Sequence, residues 1–179
     1  MTEYSVSIIL PTINEGSNLS ILIPETQNKL KDLLIENYEI LVVDDGSTDN
    51  THEIINQMNI KDNRVKIILR DNIPSLPMSI WDGISASQKE YVAWLDADGS
   101  MTVEALANLI QVSQKNKEAV VVGSRFVSGG GYKGVKEIGK TSFLKAINNV
   151  RKSKDSVAGM IVSILFNKFL SYLFLSEVK

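Results

Sequence analysis

The sequence predicts an α/β protein with a mostly parallel, Rossmann-like sheet flanked by helices, and two observations support this prediction. Five short runs rich in β-branched residues alternate with four longer segments of helical period. Such alternation is typical of parallel strands joined by crossover helices. With 179 residues and 44% hydrophobic content, the chain can also bury one sizeable core.

The elements follow one another in a regular order. The runs are too short and too β-branched for buried helices, and they cover residues 6–10, 38–43, 65–69, 91–95 and 119–122. The segments between them are long enough for helices, and they cover residues 18–35, 50–58, 76–89 and 102–115. The sequence therefore predicts five strands and four crossover helices.

Composition excludes several classes of protein. The absence of cysteine excludes disulfides, thiolate zinc sites and a cysteine nucleophile, and it favours a reducing compartment. A formal net charge of −2 gives no general attraction to the nucleic-acid backbone, so no nucleic-acid partner is expected. The first strand begins almost at once in MTEYSVSIIL, which predicts no signal peptide, and the absence of cysteine makes the cytoplasm the expected compartment.

Polar residues follow the predicted strands, in the sequences PTINEGSNL, DDGSTDNT, DADGS and GSRFVSGGG. In open parallel sheets, ligands bind outside the carboxyl ends of the strands. A structural alternative exists, because Thr12 with Glu15 has the spacing of a helix cap and Asp45-Gly46 is an ordinary turn pair. Capping explains neither the adjacent acids Asp44 and Asp45 nor a second acidic pair, so a ligand site is the better hypothesis.

The second acidic pair is Asp96 and Asp98. In an extended chain these residues point to the same side, which would present two carboxylates beyond the sheet. Hard oxygen ligands suit Mg²⁺ or Mn²⁺, and magnesium fills its remaining positions with water and substrate phosphates. A calcium loop of the EF-hand type would need glycine where Met101 stands. A metal with a diphosphate partner is therefore predicted, with an aspartate turn as the structural alternative.

Taken in order, SIILPTINEGSNL, EILVVDDGSTDNT, WLDADGS and VVGSRFVSGGG resemble the motifs of family 2 glycosyltransferases of the GT-A type. The resemblance is closest to the polyprenyl-phosphate sugar synthases and extends from about residue 5 to residue 131. Four motifs in the same order are specific evidence, whereas any one alone would be weak. The resemblance implies a transferase that uses a nucleotide diphosphate sugar.

The resemblance also implies roles for individual residues. Those implied to line or contact the nucleotide are Pro11, Ile13, Glu15, one or both of Asp44 and Asp45, Asp96 and Ala97. Asp96 and Asp98 match the metal-binding motif of the family, and Asp98 is the implied catalytic carboxylate. Arg125 matches an arginine that faces the diphosphate or the acceptor phosphate.

The sequence departs from the family at two places. Relatives often carry a glycine-rich turn after the third strand, whereas this chain has RDNIPSLPMSIWDGI, which leaves the donor preference open. Further on, Gly159, Ser163 and Asn167 match the spacing of a family motif that begins with arginine. The missing arginine leaves open a non-catalytic module that binds nucleotide sugars.

The C-terminal part differs in composition from the rest. We expect a nucleotide-sugar-binding core at residues 1–131 and a loop and helical segment on the acceptor or membrane side at residues 132–179. The run VAGMIVSILFNKFLSYLFL, at residues 157–175, follows the basic sequence RKSK. It predicts a buried helix or an interfacial helix on anionic lipid rather than a membrane span. The motif comparison also suggests that the chain is part of a longer protein.

Acceptor chemistry favours one enzyme over its alternative. A phosphate monoester, with a second pKa of about 6, is largely ionised at neutral pH and attacks without a base. A sugar hydroxyl needs a positioned carboxylate, and Glu137 is the only acid between Arg125 and Asn149. The prediction is an inverting transferase acting on a polyprenyl phosphate, with a hydroxyl-acceptor enzyme as the alternative. The sequence predicts no oligomeric state.

The histidine and the two tryptophans of the chain are predicted to have structural rather than catalytic roles. His52, the only histidine, is predicted to be a solvated surface residue without a catalytic role. Trp81 and Trp94 occur in apolar patterns and are predicted to lie in the core.

Overall fold

The computed structural model describes residues 4–123, which form a four-stranded parallel sheet covered by helices. The strands are β1 (Val6–Thr12), β2 (Tyr38–Asp44), β3 (Val65–Leu69) and β4 (Tyr91–Trp94). Their order across the sheet is β3-β2-β1-β4, and all neighbours are parallel. Val6 of β1 lies opposite both Tyr38 and Tyr91, and Ile40 of β2 lies opposite both Ile8 and Val65, so β1 and β2 occupy the centre. The predicted α/β class is confirmed.

Four helices connect and cover the strands: α1 (Gly16–Asp32), α2 (Thr51–Lys61), α3 (Leu76–Ala86) and α4 (Val103–Lys115). Both central strands are buried along their whole length, as expected for a parallel sheet covered on two faces. Val6, Ile8 and Leu10 pack in one apolar cluster with side chains of α1, α2 and α4. Because side chains alternate along a strand, Ile9 faces the other side, where it contacts α3.

Small residues allow α3 to approach the sheet closely. Ser79 and Gly83, one helical turn apart, are its buried residues, and a β-carbon added to Gly83 would lie 2.5 Å from Cγ2 of Ile9. Large side chains therefore remain on the outer side of this helix. Trp81 is 61% exposed and Trp94, at the end of β4, is 48% exposed, so the prediction that both lie in the core is wrong.

The predicted fifth strand is also wrong. Residues 119–122 lie outside helix and strand, and Val120 and Val122 are largely exposed. A short apolar run becomes a strand only where a neighbouring backbone pairs with it, and within residues 4–123 the only strand that pairs with β4 is β1. The motif around Arg125, the segment at 132–179 and the apolar run at 157–175 lie outside the described residues.

Asp49 accepts hydrogen bonds from the first residues of both α1 and α2. The helix cap between Thr12 and Glu15, considered above as the structural alternative, is absent. The Thr12 hydroxyl donates to the carbonyl of Leu10, and Glu15 makes no side-chain cap bond. Instead, the Asp49 carboxylate accepts hydrogen bonds from the N–H groups of Gly16, at 3.2 Å, and Thr51, at 3.0 Å. Hydrogen bonds from Thr51, the strongest influence, lower the pKa of Asp49.

None of the helices within residues 4–123 combines the length and the hydropathy needed to cross a bilayer.

Candidate functional site

A cleft of about 420 Å³ lies at the carboxyl ends of β1, β2 and β4, a volume suited to a small ligand. The end of β1 and the segments that follow the three strands line it, together with the residues before α3 and its first turn. The lining residues are Pro11, Thr12, Ile13, Glu15, Asp45, Pro74, Ser75, Leu76, Ser79, Asp96, Ala97 and Asp98. The fold therefore gathers seven of the predicted site residues into one cleft. Asp44 is not among its lining residues, and Arg125 lies outside the described part of the chain.

Asp44 is buried and holds the loop that follows β2. Its Oδ1 accepts hydrogen bonds from the N–H groups of Gly46, at 3.0 Å, and Ser47, at 2.9 Å. The Nε2 atom of His52 lies 2.9 Å from the same oxygen. Burial raises the pKa of Asp44, but the bonds from His52 and the loop outweigh it and lower the pKa overall. Asp44 thus organises the loop, and His52 is half-exposed with a partner rather than simply solvated.

Asp45 faces the cleft and is held by a buried arginine that the sequence reasoning missed. The Arg70 guanidinium donates to one oxygen of Asp45 and, through Nε, to Asp82 at 2.6 Å. The other Asp45 oxygen accepts from the Ser75 N–H at 2.9 Å and from the Ser79 hydroxyl. The Arg70 side chain is 4% exposed, and a buried charge of this kind requires such partners. The sequence did offer one signal for a site role of Arg70: it directly follows β3, whose carboxyl end lies at the same edge of the sheet as those of β1, β2 and β4.

The Asp96–Asp98 pair reaches the cleft by a different geometry from the predicted one. β4 ends at Trp94, and residues 97 and 98 lie in a turn, so strand alternation does not orient the two carboxylates. Gly99 has a φ of +73°, which permits the chain to turn there, and the Ser100 N–H donates to Asp98 Oδ1 at 2.8 Å. Asp96 is half-buried and Asp98 is exposed.

These two carboxylates fit a divalent cation that shares its coordination sphere with a ligand. Both line an open cleft, and carboxylate oxygens are the ligands that Mg²⁺ and Mn²⁺ prefer. No group of three or more acidic, histidine or cysteine side chains within residues 4–123 could hold a metal. A cation here would therefore need water and ligand oxygens as well, as magnesium in phosphate sites usually does.

Asn14, between the cleft residues Ile13 and Glu15, is a second residue that sequence reasoning missed. It has a φ of +56°, and its side chain is bonded to the loop that follows β2. Glu15 also accepts a hydrogen bond from the Asn18 side chain at 2.6 Å, which fixes its carboxylate at the start of α1. The loops that follow β1 and β2, which both contribute residues to the cleft, are therefore joined by hydrogen bonds.

Comparison with known proteins shows the family to which this chain belongs. The family model described as glycosyl transferase family 2 matches residues 7–170. A dolichol-phosphate mannosyltransferase of Pyrococcus furiosus is 33% identical over 165 residues, which cover 86% of this chain and 44% of that protein. A dolichyl-phosphate beta-glucosyltransferase of Trichomonas vaginalis is 30% identical over 132 residues, covering 69% and 39%. An undecaprenyl-phosphate 4-deoxy-4-formamido-L-arabinose transferase of Proteus mirabilis is 32% identical over 121 residues, covering 67% and 36%.

Two solved structures share the fold at lower identity. A mannosyltransferase of Pyrobaculum calidifontis, solved in complex with GDP-Man and Mn²⁺, has a TM-score of 0.52 at 21% identity and covers 60% of this chain and 32% of its own. A mannosyl-3-phosphoglycerate synthase of Rubrobacter xylanophilus has a TM-score of 0.51 at 19% identity, covering 62% and 36%. The chain spans less than half the length of these relatives. With the family model matched over most of its length, the chain belongs to glycosyl transferase family 2.

Proposed function

We propose that this chain binds the donor in an inverting glycosyltransferase that moves a sugar from a nucleotide diphosphate sugar to a polyprenyl phosphate. The observation that carries the proposal is the cleft at the sheet edge, where Asp45, Asp96 and Asp98 come together in a member of family 2. Residues 1–131 would form the nucleotide-sugar-binding core, and residues 132–179 would serve the acceptor and the membrane.

The donor would lie with its nucleoside against the β1 and β2 loops. Pro11 and Ile13 offer apolar surface there, and Ile13 is 47% exposed, so its side chain is accessible to a base. Glu15 and Asp45 offer hydrogen-bond acceptors to ribose hydroxyls or a base N–H. Arg70 and Ser79 hold Asp45 in place before any ligand arrives, which lowers the entropic cost of binding.

The diphosphate would lie toward Asp96 and Asp98, beside the backbone of Ala97. These two carboxylates would hold Mg²⁺ or Mn²⁺. The cation would neutralise part of the negative charge on the departing diphosphate. Asp98 is the more exposed of the two, whereas Asp96 is fixed between the buried residues Leu95 and Ala97. We therefore assign Asp98 the larger part in metal binding.

A polyprenyl phosphate is the acceptor that these observations support best. Relatives named for dolichol-phosphate, dolichyl-phosphate and undecaprenyl-phosphate transfer match this chain at 30–33% identity. An ionised phosphate attacks without a general base. Arg125 would face a phosphate group, and the basic sequence RKSK at 151–154 would bring the enzyme to the cytoplasmic surface of an anionic membrane.

A transfer assay with paired acceptors tests this function. Purified protein is mixed with Mn²⁺, a panel of nucleotide diphosphate sugars, and either a short polyprenyl phosphate or the matching polyprenol. We expect one donor to give a sugar-phosphate lipid from the phosphate only, with the anomeric configuration inverted by NMR. Transfer to the polyprenol or to a sugar hydroxyl alone would favour the hydroxyl-acceptor enzyme. Donor binding without transfer to any acceptor would indicate a nucleotide-sugar-binding module instead.

A further inference from the structure

We infer that Asn14 is a positioning residue for the nucleoside side of the donor cleft. It would act by locking the loop that follows β1 to the loop that follows β2. This inference rests on the proposed function, because a positioning role has meaning only if the cleft binds a nucleotide. The residue itself does not line the cleft, although its two chain neighbours, Ile13 and Glu15, do.

The Asn14 side chain makes the contact between the loops. Its Oδ1 accepts hydrogen bonds from the N–H groups of Thr48, at 2.7 Å, and Asp49, at 3.2 Å. The Thr48 hydroxyl donates to the same oxygen at 3.3 Å. In the opposite direction, the Asn14 N–H donates to the Ser47 hydroxyl at 2.7 Å. One residue of the first loop is therefore bonded to three consecutive residues of the second.

The backbone of Asn14 explains how its side chain reaches that loop. Its φ of +56° lies in the left-handed region, which asparagine tolerates better than most residues other than glycine. The chain changes direction there, so Ile13 and Glu15 line the cleft while the residue between them is bonded to the adjacent loop. Glycine would allow the same backbone but would supply no acceptor, whereas alanine would supply neither.

Loop position matters because both loops carry cleft residues. The second loop begins at Asp45, which lines the cleft, and the first carries Ile13 and Glu15. Asp49 closes the connection by accepting a hydrogen bond from the N–H of Gly16 at 3.2 Å. If the Asn14 acceptor is removed, two side-chain hydrogen bonds remain between the loops, from the N–H groups of Asn14 and Gly16 to the side chains of Ser47 and Asp49. The separation of the two loops is then less well fixed. Binding should then lose affinity, since the ligand must order both loops.

Four forms of the protein separate the acceptor from the backbone conformation: wild type, Asn14→Gly, Asn14→Asp and Asn14→Ala. Calorimetry measures the affinity for UDP and for GDP, with and without Mn²⁺. We expect Asn14→Gly to stay folded and to bind about tenfold more weakly, by the same factor with and without metal. Asn14→Asp, which keeps an oxygen acceptor, should recover most of the loss. Asn14→Ala should lose affinity and also unfold at a lower temperature. Asn56→Ala, at an exposed position of α2, is the control that should neither weaken binding nor lower the unfolding temperature.

Hydrogen exchange at the Thr48 and Asp49 amides gives a readout that needs no ligand. Exchange should accelerate in Asn14→Gly and slow again in Asn14→Asp. The inference is overturned if exchange is unchanged, or if Asn14→Gly binds the nucleotide that the wild type binds with equal affinity. In that second case the proposed function stands. If the wild type binds neither UDP nor GDP, the donor function itself fails and the role of Asn14 fails with it.

Discussion

At the scale of single residues, the adjacent acids Asp44 and Asp45 have different structural roles. Both are buried, but only Asp45 lines the cleft, whereas Asp44 bonds the N–H groups of its own loop and His52. Replacing Asp44 would therefore disturb the loop before any ligand is considered. Replacing Asp45 would leave the Arg70 guanidinium buried with one fewer partner, so nucleotide affinities of such variants must be read together with their stabilities.

Asp98 can be tested with less risk to the fold, because its side chain is exposed at the cleft. We predict that Mn²⁺ or Mg²⁺ increases the affinity for a nucleoside diphosphate and that Asp98→Asn removes most of that increase. An amide oxygen is a neutral and weaker ligand than a carboxylate for a hard cation. Calorimetric titration of UDP and GDP, with and without metal, measures the effect.

The control for this experiment is Asp71→Asn, which removes the same charge at an exposed position outside the cleft lining. Its metal dependence should equal that of the wild type. If Asp98→Asn keeps the full metal-dependent gain while folded, the cation is held elsewhere and the assignment to Asp96 and Asp98 is wrong.

At the scale of elements, the end of α1 carries a conformation that its sequence does not favour. The Ile35 N–H bonds the carbonyl of Leu30, and the Leu34 N–H bonds that of Lys31, both at 2.9 Å, which is the Schellman pattern. Ile35 and Leu30 are buried together, as usual for this motif. The residue in the left-handed position is normally glycine, but here it is Leu34, with a φ of +57° and 88% exposure.

We predict that Leu34→Gly stabilises the protein by about 1 kcal/mol, because glycine adopts positive φ without a clash of the β-carbon. The gain should appear as a higher urea midpoint with an unchanged slope. Leu34→Ala is the matched control, since it removes the exposed side chain but keeps the β-carbon. Equal stabilisation by both variants would mean that exposure of the leucine, rather than its backbone conformation, costs stability.

At the scale of the whole molecule, a buried acid connects three strands and the segment before β4. The Glu39 carboxylate on β2 accepts hydrogen bonds from the Ser7 hydroxyl at 2.7 Å, Lys66 Nζ at 2.8 Å and the Gln88 N–H at 2.7 Å. Its side chain is 2% exposed, whereas that of Lys66 is 41% exposed. Burial raises the pKa of Glu39, but these bonds outweigh burial and lower it overall.

We therefore predict that Glu39→Gln lowers the free energy of unfolding by about 2 kcal/mol at pH 7, the scale of hydrogen bonds to a charged group. Because the folded-state pKa lies below that of the unfolded chain, the carboxylate stabilises the fold above about pH 4.3. That stabilisation is lost as the pH falls through the folded-state pKa. Urea unfolding of both proteins from pH 7 down to pH 3 should show the difference shrinking below about pH 4.3.

Glu25, an exposed residue of α1, is the control position for the unfolding experiments from pH 7 to pH 3. Glu25→Gln should change stability by less than about 0.5 kcal/mol at any pH, since surface substitutions away from packed features usually do. A Glu39→Gln deficit that stays constant from pH 7 to pH 3 would show that the ionised carboxylate is not the stabilising form.

The sequence by itself determined the parts of this protein that depend on local pattern. The class of the sheet, four of its strands and all four helices follow from hydrophobic periodicity, because a strand or helix buried on a known face must place apolar residues at a fixed spacing. The motif order also indicated the family, and the rule that parallel strands end at one edge brought Asp45, Asp96 and Asp98 into one predicted site.

Only the tertiary structure decided features that depend on partners distant in the chain. Residues 119–122 have the composition of a strand, yet they form none because no described backbone pairs with them. Arg70 is buried against Asp45, 25 residues earlier, and Asn14 accepts bonds from Thr48, 34 residues later. Pattern reasoning misses such contacts, since hydrogen bonds and ion pairs depend on the distance and direction between groups that folding brings together, and a linear sequence specifies neither.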